Sequence, residues 1–251
     1  MRFEGQRIAV TGGSGDIGGR IVQRLLDEGA RVTVLDRTPP KGGRSTYIAC
    51  DLACSEGLEA AAAALGERSW DILVNLAGVQ YFGQVESETP DSLARTFTVN
   101  LIAPVRLSQA VLPQMRARGA GQIVNIGSIF GSINFAHFAS YSSSKAGLRA
   151  FSQALRRELA GSGVKVTYVA PRAVKTAFNS EQVMKFAAIT KTAMDDPEIV
   201  AGRIIKAISG TRPEVYLGYP EAVFVRLNAI LPGLVDHALA SGDRQVAKLF
   251  A

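Results

Sequence analysis

The stretch that most constrains this chain runs from residue 6 to residue 36. Gln6-Arg-Ile-Ala-Val10 is a short apolar strand leading directly into Thr11-Gly12-Gly13-Ser14-Gly15-Asp16-Ile17-Gly18. Ile21, Val22, Leu25 and Leu26 then recur at helical spacing, and Gly29 ends the helix. A second strand, Arg31-Val-Thr-Val-Leu35, follows and delivers Asp36. Strand, glycine turn, helix and strand in this order form a βαβ unit. Small residues in its turn let backbone approach a pyrophosphate, which helix N-terminal N–H groups can then bind. An acid closing the second strand can accept bonds from ribose hydroxyls and repels a 2′-phosphate.

The pattern continues. Thr46-Tyr-Ile-Ala49 predicts a third strand with Cys50-Asp51-Leu52 at its end, and Asp71-Ile-Leu-Val-Asn75 a fourth. Pro90 to Ala117 reads as helical, interrupted at Pro104 and Pro113. Gln122 to Gly127 is a fifth strand ending at Ser128, Tyr141 to Ala160 a helix, and Val164 to Val169 a sixth strand. Strands alternating with helices predict an α/β protein: one Rossmann-like, doubly wound parallel sheet with helices on both faces. With 47% hydrophobic residues, 251 residues can bury one full core, so residues 1–251 are expected to form a single domain.

Chemistry concentrates between Ser128 and Lys145. Tyr141 and Lys145 are four residues apart, on one face of a helix, so an ammonium can sit beneath a phenol and lower its pKa. Ser128 stands at a strand's carboxyl end, where open α/β sheets bind ligands. A hydroxyl to hold a carbonyl oxygen, a phenol to exchange its proton and a cation to tune the phenol suit hydride transfer.

Taken together these motifs resemble the short-chain dehydrogenase/reductase family, from Arg7 to about Leu217. Thr11-Gly-x-x-x-x-x-Gly18 is similar to its cofactor turn and Asn75-Leu-Ala-Gly78 to its Asn-Asn-Ala-Gly segment. Asn100, Ser128, Tyr141 and Lys145 match its catalytic tetrad, and Pro171 to Thr176 resembles its segment beside the nicotinamide. The resemblance implies that Ser128 and Tyr141 handle the substrate oxygen. It implies that Lys145 tunes Tyr141 and holds the nicotinamide ribose, and that Asn100 supports a water chain. Cofactor contacts are expected from Gly12, Ser14, Gly15, Asp16, Ile17 and Gly18; from Asp36, Arg37, Asp51 and Leu52; and from Asn75, Ala77, Gly78, Tyr141, Lys145, Pro171, Val174 and Thr176. It further implies a homodimer or homotetramer, often paired through the helices carrying Asn100 and Tyr141.

Three departures stand out. Asp16 replaces a turn glycine; its carboxylate either opposes a pyrophosphate or caps the helix and points away, and the cap is the preferred expectation. Leu76 replaces an Asn. Arg172 replaces a Gly, where it is either a phosphate ligand or a solvated loop residue. Asp36 favours NAD(H) over NADP(H), although Arg37 beside it suits a 2′-phosphate.

Substrate contacts are expected from Ser128, Phe130, His137, Tyr141 and Phe178. Phe135, Phe138, Val183, Met184, Phe186 and Ile189 add apolar character, and residues 173–196 match the family's mobile lid. The expected substrate is a secondary alcohol or ketone, apolar or long-chain. The alternative is a regulator or scaffold that binds a dinucleotide and does no chemistry.

Other classes recede. Two cysteines, Cys50 and Cys54, make neither a disulfide framework nor a metal site, and fit a reducing cytoplasm. A net charge of +6 is scattered among acids, which disfavours nucleic acid. No charged-then-apolar stretch precedes the first strand and no uninterrupted 18-residue apolar run occurs, so neither export nor membrane spanning is expected. The C-terminal extension, 218–251, carries an apolar stripe through Val223, Phe224, Leu227, Ile230, Leu231, Leu234, Val235 and Ala238, which Pro232-Gly233 should kink or split. Between Glu221 and Ala240 the polar face offers only Arg226 among Lys and Arg, so packing on protein is favoured over a membrane surface.

Overall fold

The structure is a computed structural model and describes residues 1–210 and 212–250. Seven parallel strands form one sheet in the order β3-β2-β1-β4-β5-β6-β7. They are β1 (Arg7–Thr11), β2 (Arg31–Asp36), β3 (Thr46–Ala49), β4 (Ile72–Asn75), β5 (Gly121–Ile126), β6 (Val164–Pro171) and β7 (Glu214–Leu217). The winding reverses between the adjacent strands β1 and β4, and there the ligand crevice of such a sheet opens. The doubly wound expectation is met.

Side-chain alternation builds two cores. Ile8 and Val10 face α1 (Asp16–Asp27) and α7 (Pro197–Ile208), together with Val34, Val74 and Val124. Ala9 faces the opposite layer with Leu35, Leu73 and Ile123, covered by α2 (Ser55–Gly66), α4 (Ala103–Arg118) and α5 (Ala139–Glu158). Burial on both faces explains the continuous apolar runs of the central strands.

Several boundaries depart from the expectations. β7 goes unread in the sequence because it is a four-residue edge strand, half-buried and headed by Glu214. The segment from Pro90 divides into α3 (Pro90–Phe97), a π-helical turn (Thr98–Ile102) and α4. Pro113 does not interrupt α4: it and Gln109, whose carbonyl loses a partner, are exposed, so water can satisfy that carbonyl.

Beyond β6, residues 173–196 leave the sheet and return. Asp195 N–H bonds the Ala173 carbonyl at 2.8 Å and Lys175 N–H bonds the Asp195 carbonyl at 3.0 Å, which pins the base of the excursion. Inside it lies α6 (Glu181–Ile189), capped by Ser180. The C-terminal stripe splits into α8 (Glu221–Ile230) and α9 (Pro232–Ala247), as Pro232 requires. Val225 and Val235 pack on Ile129 and Ile133, but Phe224, Ile230, Leu231 and Leu234 remain exposed. The stripe is therefore mostly uncovered within this chain. At the far end of α9, Val246 is fully buried against Phe138, Tyr141 and Phe186, with Leu249 and Phe250 beside it.

Arg172 joins two of these parts. Its guanidinium donates to Asp195 Oδ1 at 2.6 Å and to Glu221 Oε2 at 3.0 Å, linking the base of the 173–196 segment to the start of α8. It is thus neither a solvated loop residue nor free to take a phosphate. No described helix is long and apolar enough to cross a membrane.

Candidate functional site

A cleft of about 560 Å³ runs over the carboxyl ends of β1, β2, β4, β5 and β6. One end is formed by the turn after β1. Gly12 has φ +70°, and a Cβ there would meet the Ala77 backbone at 2.8 Å, so the turn after β1 can press against the strand end after β4 only with glycine present. Thr11 Oγ1 accepts the N–H groups of Leu76 and Ala77 at 3.0 and 3.1 Å. The Leu76 departure therefore leaves that backbone turn intact, while its side chain packs on the α1 core.

Gly12, Ser14, Gly15, Asp16, Ile17 and Gly18 line this end of the cleft. Asp36, Arg37, Asp51 and Leu52 line the cleft beside this turn, and so do Ala77 and Gly78. The Asp36 carboxylate accepts N–H bonds from Arg37 at 2.7 Å and Ser14 at 3.0 Å, which fix it at the strand end. Asn75 is corrected: it lies beneath the cleft, 2% exposed, with its amide donating to Asn125 Oδ1 at 2.8 Å. Pairing between adjacent strands, one layer below the opening, takes it away from any ligand. Asp16 is corrected as a cap as well. Gly15 is the N-cap of α1 and makes no side-chain bond, whereas Asp16 Oδ2 accepts the Ala177 N–H at 2.9 Å.

At the other end, Ser128, Tyr141 and Lys145 converge. Ser128 follows β5 in extended conformation, and its backbone is held by the buried Tyr168 hydroxyl, which donates to the Ser128 carbonyl at 3.3 Å. Tyr168 on β6 escapes a sequence reading because nothing local distinguishes it from other core aromatics. Lys145 Nζ lies 5.9 Å from the Tyr141 ring centroid and donates to the Ile126 carbonyl at 3.1 Å. Burial pushes the Tyr141 phenol up to about 12, with the nearby Ser128 pulling the other way. Burial likewise draws Lys145 down to about 8. The expectation that Lys145 sets a lowered phenol pKa is thereby overturned in this state, because desolvation is the larger influence on Tyr141.

Asn100 does not reach the cleft. It sits fully buried in the π-helical turn, accepting the Val79 N–H at 2.9 Å and donating to the Val79 carbonyl at 2.8 Å and to Ser144 Oγ. Its side chain thus pins the Val79 backbone that forms one wall. A π turn shifts side chains off the α-helical register and often marks functional positions; that shift turns Asn100 inward.

Pro171, Val174 and Thr176 close the cleft from the β6 side. Phe130, Phe138, Phe178, Val183 and Phe186 line the Tyr141 end. Met184 points outward, and Phe135 and Ile189 form the layer behind. His137 is corrected: with φ +67° it turns away from the cleft and stacks on Phe250, centroids 4.6 Å apart. Spacing alone gave no sign of that left-handed backbone. Lining residues missed in the sequence include Val79, Gln80, Arg95 and Met194. Among the described residues no His, Cys, Asp or Glu cluster could hold a metal ion.

A glycine turn at the reversal of a parallel sheet, opposite a buried Ser-Tyr-Lys group, defines a nucleotide-dependent oxidoreductase scaffold. Residues 6–185 match the short chain dehydrogenase family, and the chain belongs to it. It is 30% identical to the ketoacyl reductase HetN of Nostoc sp. over 95% of this chain and 85% of that one. A short chain dehydrogenase of Leptospira borgpetersenii with bound NAD+ superposes at TM-score 0.74, with 27% identity, 86% of this chain and 92% of that one covered. A metagenomic short-chain oxidoreductase in complex with NADP superposes at 0.72, with 31% identity, covering 86% and 98%. Neighbours thus bind either nucleotide.

Proposed function

We propose that this protein moves a hydride between a nicotinamide dinucleotide and a secondary alcohol or ketone with an apolar body. The observation that carries the reading is the convergence of Ser128, Tyr141 and Lys145 on one end of the cleft, with Lys145 only 4% exposed. A dinucleotide fits the other end: the Gly12 cradle has no room for a Cβ, α1 offers N-terminal amides, and Asp36 is fixed at a strand end. Asp36 would hold the adenosine ribose and favour NAD(H); Thr176 and Lys145 would lie along the nicotinamide half. When bound, the nicotinamide supplies or accepts the hydride.

The chain's own residues hold the oxygen and move the proton. Ser128 donates to the substrate oxygen. Tyr141, protonated at neutral pH, donates its proton to that oxygen as a carbonyl is reduced, and takes it back in the reverse direction. Lys145, still largely charged below pH 8, stabilises the phenolate that results. Asn100 acts by positioning the Val79 wall. Phe130, Phe138, Phe178 and Phe186 exclude water from the substrate end, which supports an apolar substrate. Residues 173–196 serve as its cover. Exposed Leu93 and Ile102 beside the Asn100 turn support pairing of two copies there.

A graded series of ketones with NADH and NADPH tests the reading. The expected result is turnover rising with apolar chain length and faster with NADH. Dinucleotide binding with no turnover across the series would favour the regulator instead, for which the Asp16 carboxylate in the glycine turn is the supporting feature.

A further inference from the structure

Asp16 opens α1 and lines the cleft where the glycine turn meets the 173–196 segment. Its carboxylate makes no ion pair among the described residues. The nearby Arg20 donates instead to the Asp16 backbone carbonyl at 2.7 Å and places its Nε 3.2 Å from Glu198 on α7. The carboxylate is spent on the Ala177 N–H, across 161 positions of chain. Among the described residues this is the one hydrogen bond joining the 173–196 segment to the glycine turn. Another bond ties the segment elsewhere, Gln80 Nε2 donating to the Phe178 carbonyl at 2.8 Å, while the bond from Asn179 Nδ2 to the Val174 carbonyl at 2.6 Å is internal to it.

An amide N–H pointing into an anion-binding cleft is a seat for a phosphate oxygen. Here a carboxylate of the chain already sits in it. We propose that Asp16 is a positioning residue that imitates the pyrophosphate: it draws the 173–196 segment onto the glycine turn in the ligand-free protein and must release Ala177 when a dinucleotide enters. This rests on the dinucleotide reading of the cleft. Two consequences follow from charge and geometry. The segment is pre-ordered without ligand, and dinucleotide affinity is lower than the cleft would otherwise give, because a like charge remains beside the pyrophosphate.

Hydrogen exchange of the ligand-free protein and titration with NADH and with inorganic pyrophosphate separate these effects. Asp16→Gly removes both contact and charge. Exchange over 173–179 should quicken several-fold, and both ligands should bind about tenfold tighter, the scale of one charge-assisted hydrogen bond. Asp16→Asn keeps an oxygen that can accept the Ala177 N–H and removes the charge. Its exchange should stay near wild type while binding tightens about threefold. Unchanged exchange in Asp16→Gly, or binding that is no tighter in either variant, would overturn the proposal. Failure of the wild type to bind any dinucleotide would refute the functional reading instead, and the ligand-free exchange comparison would still judge the contact.

Discussion

Lys145 is a cation placed where a cation is costly. It is 4% exposed, and burial draws its pKa from the usual 10.5 to about 8. A difference of about 2.5 units corresponds to about 3 kcal/mol of stability forgone below pH 8. The hydrogen bond to the Ile126 carbonyl returns about 1 kcal/mol. Lys145→Met, similar in length and uncharged, should therefore stabilise the ligand-free protein by about 2 kcal/mol at pH 7. For a chain of this size that is about 4–8 °C in Tm. The folded pKa lies below the unfolded one, so between pH 8 and 10.5 the unfolded chain binds the extra proton and wild-type stability climbs with pH. At pH 9.5 only about 1 kcal/mol of the penalty remains, and the two proteins should melt together. Thermal unfolding by circular dichroism at both pH values measures this, and loss of turnover in the same variant completes it. A Met variant no more stable than wild type at pH 7, or a gap that ignores pH, would refute the reasoning.

Three further outcomes are expected. Tyr141→Phe should keep dinucleotide binding and lose at least about 100-fold in turnover, as removal of a general acid does; single-turnover kinetics would show otherwise if Tyr141 were idle. Asp36→Ala should narrow the ratio of NADPH to NADH dissociation constants by lifting repulsion of a 2′-phosphate, and a wild type that prefers NADPH would reverse the assignment. Removing residues 246–250 takes away the fully buried Val246 and the Phe250 ring, centroid 5.3 Å from that of Phe82. Affinity for apolar ketones should fall well before affinity for NADH does, and an equal fall in both would argue for a global loss of structure.

Much of this was readable from residue order. Central strands such as β4 and β5 are buried on both faces, so their apolar runs announce themselves, and the glycine turn between β1 and α1 carries its own backbone requirement. Ser128, Tyr141 and Lys145 were legible because helical periodicity and a strand end place them. What escaped depends on partners far along the chain. Asn75 looks like a cleft residue until Asn125, 50 positions away, claims its amide. Arg172 looks available until Asp195 and Glu221 meet it. His137 was misplaced by a left-handed backbone, and Asn100 turned inward by a π turn that spacing does not encode. The pKa of Tyr141 departs for a different reason: a nearby Lys is visible in sequence, but the burial that raises the phenol is not.

The Arg172 bridge has a consequence for anyone redesigning substrate choice. Grafting a foreign 173–196 segment onto this scaffold would move Asp195, and with it half of the anionic pair that neutralises a guanidinium only 17% exposed. The remaining partner, Glu221, belongs to α8, and Gly218 leaves no space for Arg172 to retreat, since a Cβ there would already meet its stem at 2.6 Å. The segment and α8 are therefore one heritable module: exchanged together they carry their counter-charges with them, and exchanged singly they leave the Arg172 cation short of a counter-charge against β6.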